Sequence, residues 1–151
     1  MARFEAGARS SLTTATADDP LVAIRAPATE VGKLRELGVT LVAATSTLLG
    51  LARVTTVSVT PGTTKPGRNV IVDAPDSATL LVNSWATKPV TSANYLRRIV
   101  LPAAIGAGFI WTWPADDPLQ IGDGQAIREI ALCNLVAVAC SVFDWYAVWE
   151  D

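Results

Sequence analysis

The feature that most constrains this chain is the period of its apolar residues, which recur at every second position. In 33–44, Arg35, Leu37, Val39 and Leu41 fall on one side of an extended backbone and Glu36, Gly38 and Thr40 on the other. Residues 95–101 divide Tyr95, Arg97, Ile99 and Leu101 from Leu96, Arg98 and Val100, and Phe109, Trp111 and Trp113 share one side of a segment that Pro114 closes. A period of two sends side chains alternately to the two faces of a pleated strand. Val, Thr, Ile, Leu and Trp, the enriched types here, suit such a surface. Strand-like runs follow at 21–26, 33–44, 47–59 (with Val57 and Val59 on one face), 70–72, 79–85, 95–101, 109–113, 126–135 and 139–150. Turn signals separate them: Asp18-Asp19-Pro20, the two Pro-Gly pairs of 60–67, the Asp73 to Asp76 stretch, and the polar connection 116–124 with Gly122-Asp123-Gly124. A helix over 27–38 is interrupted by Gly32 and Gly38. The pattern predicts an all-β, single-domain β-sandwich of jelly-roll type over 17–151. Residues 1–16, rich in Ser, Thr and Ala, read as an extended N-terminal arm or edge strand, and the last two runs as a terminal hairpin.

Composition narrows function by exclusion. At 151 residues the chain has the length of one domain. Half of it is hydrophobic and only 17% is charged, which leaves apolar residues over for a subunit interface and predicts an oligomer. Histidine is absent, which removes the commonest general base near neutral pH and the commonest metal ligand. No serine sits in a G-x-S-x-G context, so acyl transfer has neither elbow nor base. Gly106 and Gly108 resemble half of a phosphate-binding turn but precede a strand instead of a helix. No enzyme activity and no cofactor are expected. The net charge of −2 has no basic block behind it, so nucleic acid is not an expected partner. The longest apolar stretches, 99–113 and 130–143, fall short of the roughly 20 residues of a spanning helix, and no membrane partner is expected. The first residues lack the apolar core of a signal peptide, and the mature chain is expected to start near Met1.

Few side chains invite chemistry. Asp18-Asp19, Asp73, Asp76, Asp116-Asp117 and Asp123 nearly all adjoin Pro or Gly, where Asp supports turns through local backbone hydrogen bonds. None shows the D-x-D-x-D spacing of a calcium loop, so no metal site is expected. Cys133 and Cys140 are equidistant from a turn between Val136 and Ala137, which admits a cross-strand disulfide, while a reducing cytoplasm favours two buried thiols. Trp111 with Trp113, and Trp145 with Trp149 and Phe143, form aromatic stripes. Such stripes serve as core or subunit interface more often than as a sugar platform. Arg97 and Arg98 point to opposite faces, so one must be accommodated on an apolar side, with Asp144 or Glu150 as candidate carboxylate partners at a subunit boundary. The candidate interface is therefore Arg97, Arg98, Trp111, Trp113, Trp145 and Trp149.

The stretch Asn94-Tyr95-Leu96-Arg97-Arg98-Ile99-Val100-Leu101-Pro102, continuing through Gly106-Ala107-Gly108-Phe109-Ile110-Trp111-Thr112-Trp113-Pro114, resembles small structural proteins of tailed bacteriophage virions, of the head decoration or minor capsid type. So do Glu36-Leu37-Gly38-Val39, Leu49-Gly50-Leu51-Ala52-Arg53, Leu132-Cys133-Asn134-Leu135 and the terminal Asp144-Trp145-Tyr146-Ala147-Val148-Trp149-Glu150. The resemblance covers most of the chain from Phe4, with 58–76 matching poorly. It implies a virion protein assembled in the host cytoplasm: a capsid decoration or cement protein, a homo-oligomer of trimer type, with the major capsid protein or other virion proteins as partners. It carries no active site. The competing expectation is a carbohydrate- or receptor-binding module on a virion head or tail, using exposed Trp rings.

Overall fold

The computed structural model describes residues 2–11, 14–28, 30–56, 61–70, 75–121 and 129–151. Its strands are β1 (Arg3–Arg9), β2 (Asp19–Arg25), β3 (Gly32–Leu41), β4 (Thr47–Thr56), β5 (Thr64–Pro66), β6 (Arg68–Asn69), β7 (Leu80–Val82), β8 (Val90–Leu101), β9 (Gly108–Thr112), β10 (Leu119–Ile121), β11 (Glu129–Asn134) and β12 (Phe143–Glu150). They build a β-sandwich of two antiparallel six-stranded sheets. Sheet A runs β10-β3-β12-β1-β6, with β9 also paired to β3, and sheet B runs β5-β7-β2-β11-β4-β8. The expected strand residues Val57, Val59, 71–72 and 126–128, and the turn residues Asp73, Gly122, Asp123 and Gly124, lie outside the described residues.

The alternation in the sequence becomes the division between core and surface. Leu37, Val39 and Leu41 of β3 face Leu49 and Leu51 of β4, Ile130 and Leu132 of β11, and Ile24 of β2 in one buried cluster. Each such side chain contributes about 1.5–3 kcal/mol by leaving water. Phe143, Trp145, Ala147 and Trp149 of β12 all enter the same core. The two buried indoles keep their N–H groups satisfied, Trp145 donating to Asn83 Oδ1 and Trp149 to Ser77 Oγ, each at 3.0 Å. Buried indole nitrogens need such partners.

A second buried layer lies on the outer side of sheet B. Val82, Ala23, Ala131 and Ala52 are cross-strand neighbours in one row, and with Val54 and Cys133 they form a cluster covered by Trp85, Tyr95 and Leu135. Sheet B is apolar on both faces, which explains the unbroken apolar runs of β2 and β11.

Four expectations need correction. Residues 3–9 are not an arm: β1 pairs with β12 over its whole length, Arg3 opposite Glu150 through Arg9 opposite Asp144, and with β6 on its other side. Phe4, Ala6 and Ala8 turn inward, and Phe4 stacks on Trp149 with ring centroids 6.4 Å apart. Small residues suffice there because the tryptophans of β12 already fill the volume. The last two strands are not a hairpin, since β11 pairs with β2 and β4 while β12 pairs with β1 and β3. Both strands must present bulky residues to the core from opposite sides, so the connection crosses between sheets. Cys133 and Cys140 are accordingly separate, free and buried. Tyr95 does not share a face with Arg97, because the pairing of β8 with β4 skips Leu96 and this bulge turns Tyr95 to the outer cluster. Finally, the loop signals at 60–67 and 116–124 conceal the short strands β5 and β10.

Candidate functional site: the free edge of sheet B

β8 ends the order of sheet B, so one of its edges pairs with β4 and the other has no strand partner among the described residues. Twelve residues make it the longest strand among the described residues. Its inward positions close the sandwich. Ile99 and Leu101 pack on the core, and Arg97 reaches toward sheet A, its guanidinium 4.6 Å from the Trp113 ring centroid and donating to the Thr112 carbonyl at 3.3 Å. A guanidinium over an indole is stabilised by the ring quadrupole, and this contact accommodates the cation on an apolar side.

Several apolar side chains of the same strand and the turn after it are wet. Val90, Leu96 and Val100 are 56%, 42% and 67% exposed, and Ile105, on the turn that follows, is 74% exposed. That turn is fixed to β3: Gly106 N–H donates to the Leu41 carbonyl at 2.9 Å, and Leu41 N–H to the Ala107 carbonyl at 2.8 Å. Gly106 holds a φ of +83° with open space around it, a conformation glycine takes without strain. Val100 sits opposite Leu48, whose carbonyl accepts from Leu135 N–H. Val138, on the β11–β12 connection, is also exposed. A long, apolar, unpaired edge strand is a template for pairing with another chain unless charge or a bulge blunts it. Here Arg98 is the one cation among the outward residues, its guanidinium 5.8 Å from the Tyr95 ring centroid, and bulges break the pairing before Arg97, so the regular part of the edge is 97–101.

At the N-terminal end of β8 the polar groups pair with one another. Lys88 bonds Asp19, and Tyr95 donates its hydroxyl to Asp18. Burial and that hydrogen bond push the Tyr95 hydroxyl above its ordinary pKa, so it stays a donor. Asp18 takes φ +59°, which Asp tolerates in a turn. Among the described residues, no group of three or more His, Cys, Asp or Glu could hold a metal ion.

Of the six residues the sequence singles out, the structure brings Arg97 and Trp113 together and leaves Arg98 on the outer face of β8. Trp111, Trp145 and Trp149 are buried inside this chain. The carboxylates offered to the arginines have other partners: Asp144 binds Arg9 in a two-pronged pair at 2.7 and 2.9 Å, and Glu150 binds Arg35. Sequence reasoning missed Val90, Leu96, Val100 and Ile105. Part of the signal was present, since Ile99-Val100-Leu101 is apolar on both of its faces, which an edge strand exposed on one face does not need. No family model matches the chain, and no curated protein or solved structure matches it.

Proposed function

We propose that this chain is a non-enzymatic structural protein of a tailed-phage virion, a capsid decoration or cement protein that acts as a homo-oligomer of trimer type. The supporting observation is the free edge of β8. The tryptophan-rich core is complete within one chain, while Val90, Leu96, Val100 and Ile105 stay exposed along one edge and its following turn. Exposed apolar residues gathered on one element mark an interaction surface. A cement protein needs this combination: a rigid module that folds alone and an adhesive edge that binds its neighbours. The resemblance of 94–114 to phage structural proteins falls on the same strand and turn.

The sandwich is of the jelly-roll kind in this reading. Setting aside the short β5, β6, β7 and β10, the strands of sheet A lie in the order β1-β12-β3-β9 and those of sheet B in the order β2-β11-β4-β8. Apart from β4 and β8, which are neighbours in sheet B, successive strands alternate between the sheets, and this supports a winding of two Greek keys.

The test is native mass by light scattering together with co-sedimentation on heads of the virus that encodes the chain. The wild-type chain should be oligomeric and sediment with heads. A Leu96→Asp/Val100→Asp variant should be monomeric, fold normally and stay in the supernatant. A wild-type monomer that ignores heads refutes the reading.

A further inference from the structure

The opposite face of the molecule, the outer side of sheet A, carries a second surface of different chemistry. Pairing registers place Gly7 of β1, Tyr146 of β12, Gly38 of β3 and Ile110 of β9 in one row across four strands. The neighbouring row holds Arg9, Asp144, Thr40 and Gly108, and the row beyond the other side holds Arg68, Glu5, Val148, Glu36 and Thr112. Two glycines, Tyr146 and the exposed Ile110, flanked by Arg9, Asp144 and Thr40 on one side and by Arg68, Glu5, Glu36 and Thr112 on the other, form a trough. Three strand spacings give it a length of roughly 14 Å.

Tyr146 forms its middle. A Cβ on Gly38 would fall 2.0 Å from Tyr146 Cε1, so the ring lies across that glycine. Its hydroxyl donates to Glu36 Oε1 at 2.5 Å, which with partial burial pushes its pKa up to about 12 and holds the ring in place. Gly38 therefore has a packing reason. Gly7 has none: a Cβ there would meet only ordinary contacts, the Trp145 carbonyl at 3.5 Å and Tyr146 Cβ at 3.6 Å. A glycine inside a strand costs stability, and where packing does not demand it, it marks a place where another group approaches the backbone. On that side of the ring lies a depression of about 430 Å³ lined by Glu5, Ala6, Gly7, Arg68 and Tyr146. It adjoins one of about 390 Å³ that shares Ala6, Gly7 and Arg68 and extends to Lys65. On the other side of the ring is a depression of about 300 Å³ bordered by Thr40, Gly108 and Ile110.

We infer that this trough binds an internal segment of a neutral polysaccharide, with a pyranose ring stacked on Tyr146. The aromatic floor matches the C–H face of a sugar, and the polar rows on both sides match its hydroxyls. The bordering charges balance, with Arg9, Lys65 and Arg68 against Glu5, Glu36 and Asp144, so the trough has no field that selects a polyanion. It continues past Tyr146 in both directions, which suits a chain passing through and not a single terminal sugar. This inference is independent of the proposed role of β8, because the two surfaces lie on different sheets.

The experiment is titration calorimetry of the full chain with a panel of neutral hexasaccharides (cello-, xylo-, manno-, malto- and chito-series) and the corresponding monosaccharides. At least one hexasaccharide should bind, and its monosaccharide should bind far more weakly. Gly7→Val, whose side chain has room and favours a strand, should keep the melting temperature and abolish binding. Tyr146→Ala should weaken binding roughly tenfold or more, and Tyr146→Phe should retain most of it. No binding by any hexasaccharide at millimolar concentration overturns the inference. So does binding that Gly7→Val leaves intact, or a monosaccharide that binds as well as the hexasaccharide. If Gly7→Val instead releases the protein from virus heads, the trough is a protein contact and the inference is likewise overturned.

Discussion

At the scale of single residues, Asn134 holds the sandwich together at the end where β11 leaves sheet B. It is fully buried, and its Nδ2 lies within hydrogen-bonding distance of four carbonyls: Thr14 at 2.9 Å, Thr16 at 3.4 Å, Val136 at 2.7 Å and Val138 at 3.0 Å. Two amide hydrogens shared among four acceptors pin the β1–β2 connection to the β11–β12 connection. Asn134→Asp replaces the donor with a buried anion facing carbonyl oxygens, and should cost about 3 kcal/mol or more in a urea titration. Nothing in the sequence marks this residue, because its partners are backbone atoms of two separate loops. The titrating groups give a second expectation. Burial pushes the Cys133 thiol from 9.0 up to about 12, raises Cys140 and Tyr95, and the Glu36 hydrogen bond raises Tyr146. All four are raised, so the stability they contribute is fully present below about pH 9 and is lost as pH climbs through the folded values. Unfolding free energy should therefore fall between about pH 9 and 12, and Cys133→Ala should flatten that slope without changing the acid limb. On the acid side, the Arg9 guanidinium holds the Asp144 carboxyl below its usual value, an exposed pair whose contribution disappears as pH falls through that lowered pKa.

At the scale of elements, the informative comparison is between β3, which the sequence shows plainly, and β1, which it hides. β3 alternates large apolar residues with polar ones because it supplies bulk to the core on one side only. β1 offers Ala6 and Ala8 where a strand signal needs large residues, since β12 brings Phe143, Trp145 and Trp149 to the same volume. Its strand character is set by a partner some 140 residues away along the chain, and no local window contains that information. The same holds for β5 and β10, which are three residues each and owe their pairing to β7 and β3. For the candidate site, alternation located β8 but favoured tryptophans over valines, since ring size reports burial and not position at an edge. If β1 belongs to the sandwich, removing residues 1–9 strips one whole edge of β12 and uncovers Trp149. The truncated chain should lose its cooperative thermal transition, with collapsed dispersion in its amide spectrum. A dispersed spectrum and an unchanged melting temperature would restore the arm.

At the scale of the molecule, the two sheets divide the labour. Sheet A turns to water an outer face that is charged and polar around Tyr146 and the exposed Ile110, while sheet B carries small apolar residues under Trp85, Tyr95 and Leu135 and ends in an exposed apolar edge. The high hydrophobic fraction is thus spent in two places: a double-layered core that one chain completes, and a strip along β8 that one chain leaves open. Only the second depends on concentration. If copies associate through that edge, the folded state gains a term that grows with the logarithm of protomer concentration, and the melting temperature rises with it. A hundredfold increase in concentration should then shift the midpoint upward by several degrees, given that about 1 kcal/mol moves it roughly 2–4 °C in a chain of this size. Val100→Asp places a charge in the middle of the strip and should abolish the dependence while leaving the midpoint of the dilute protein nearly unchanged, because Val100 is two-thirds exposed and belongs to neither buried cluster. Differential scanning calorimetry across that range separates the two sources of stability. A midpoint independent of concentration in the wild-type chain would mean that copies do not associate through β8.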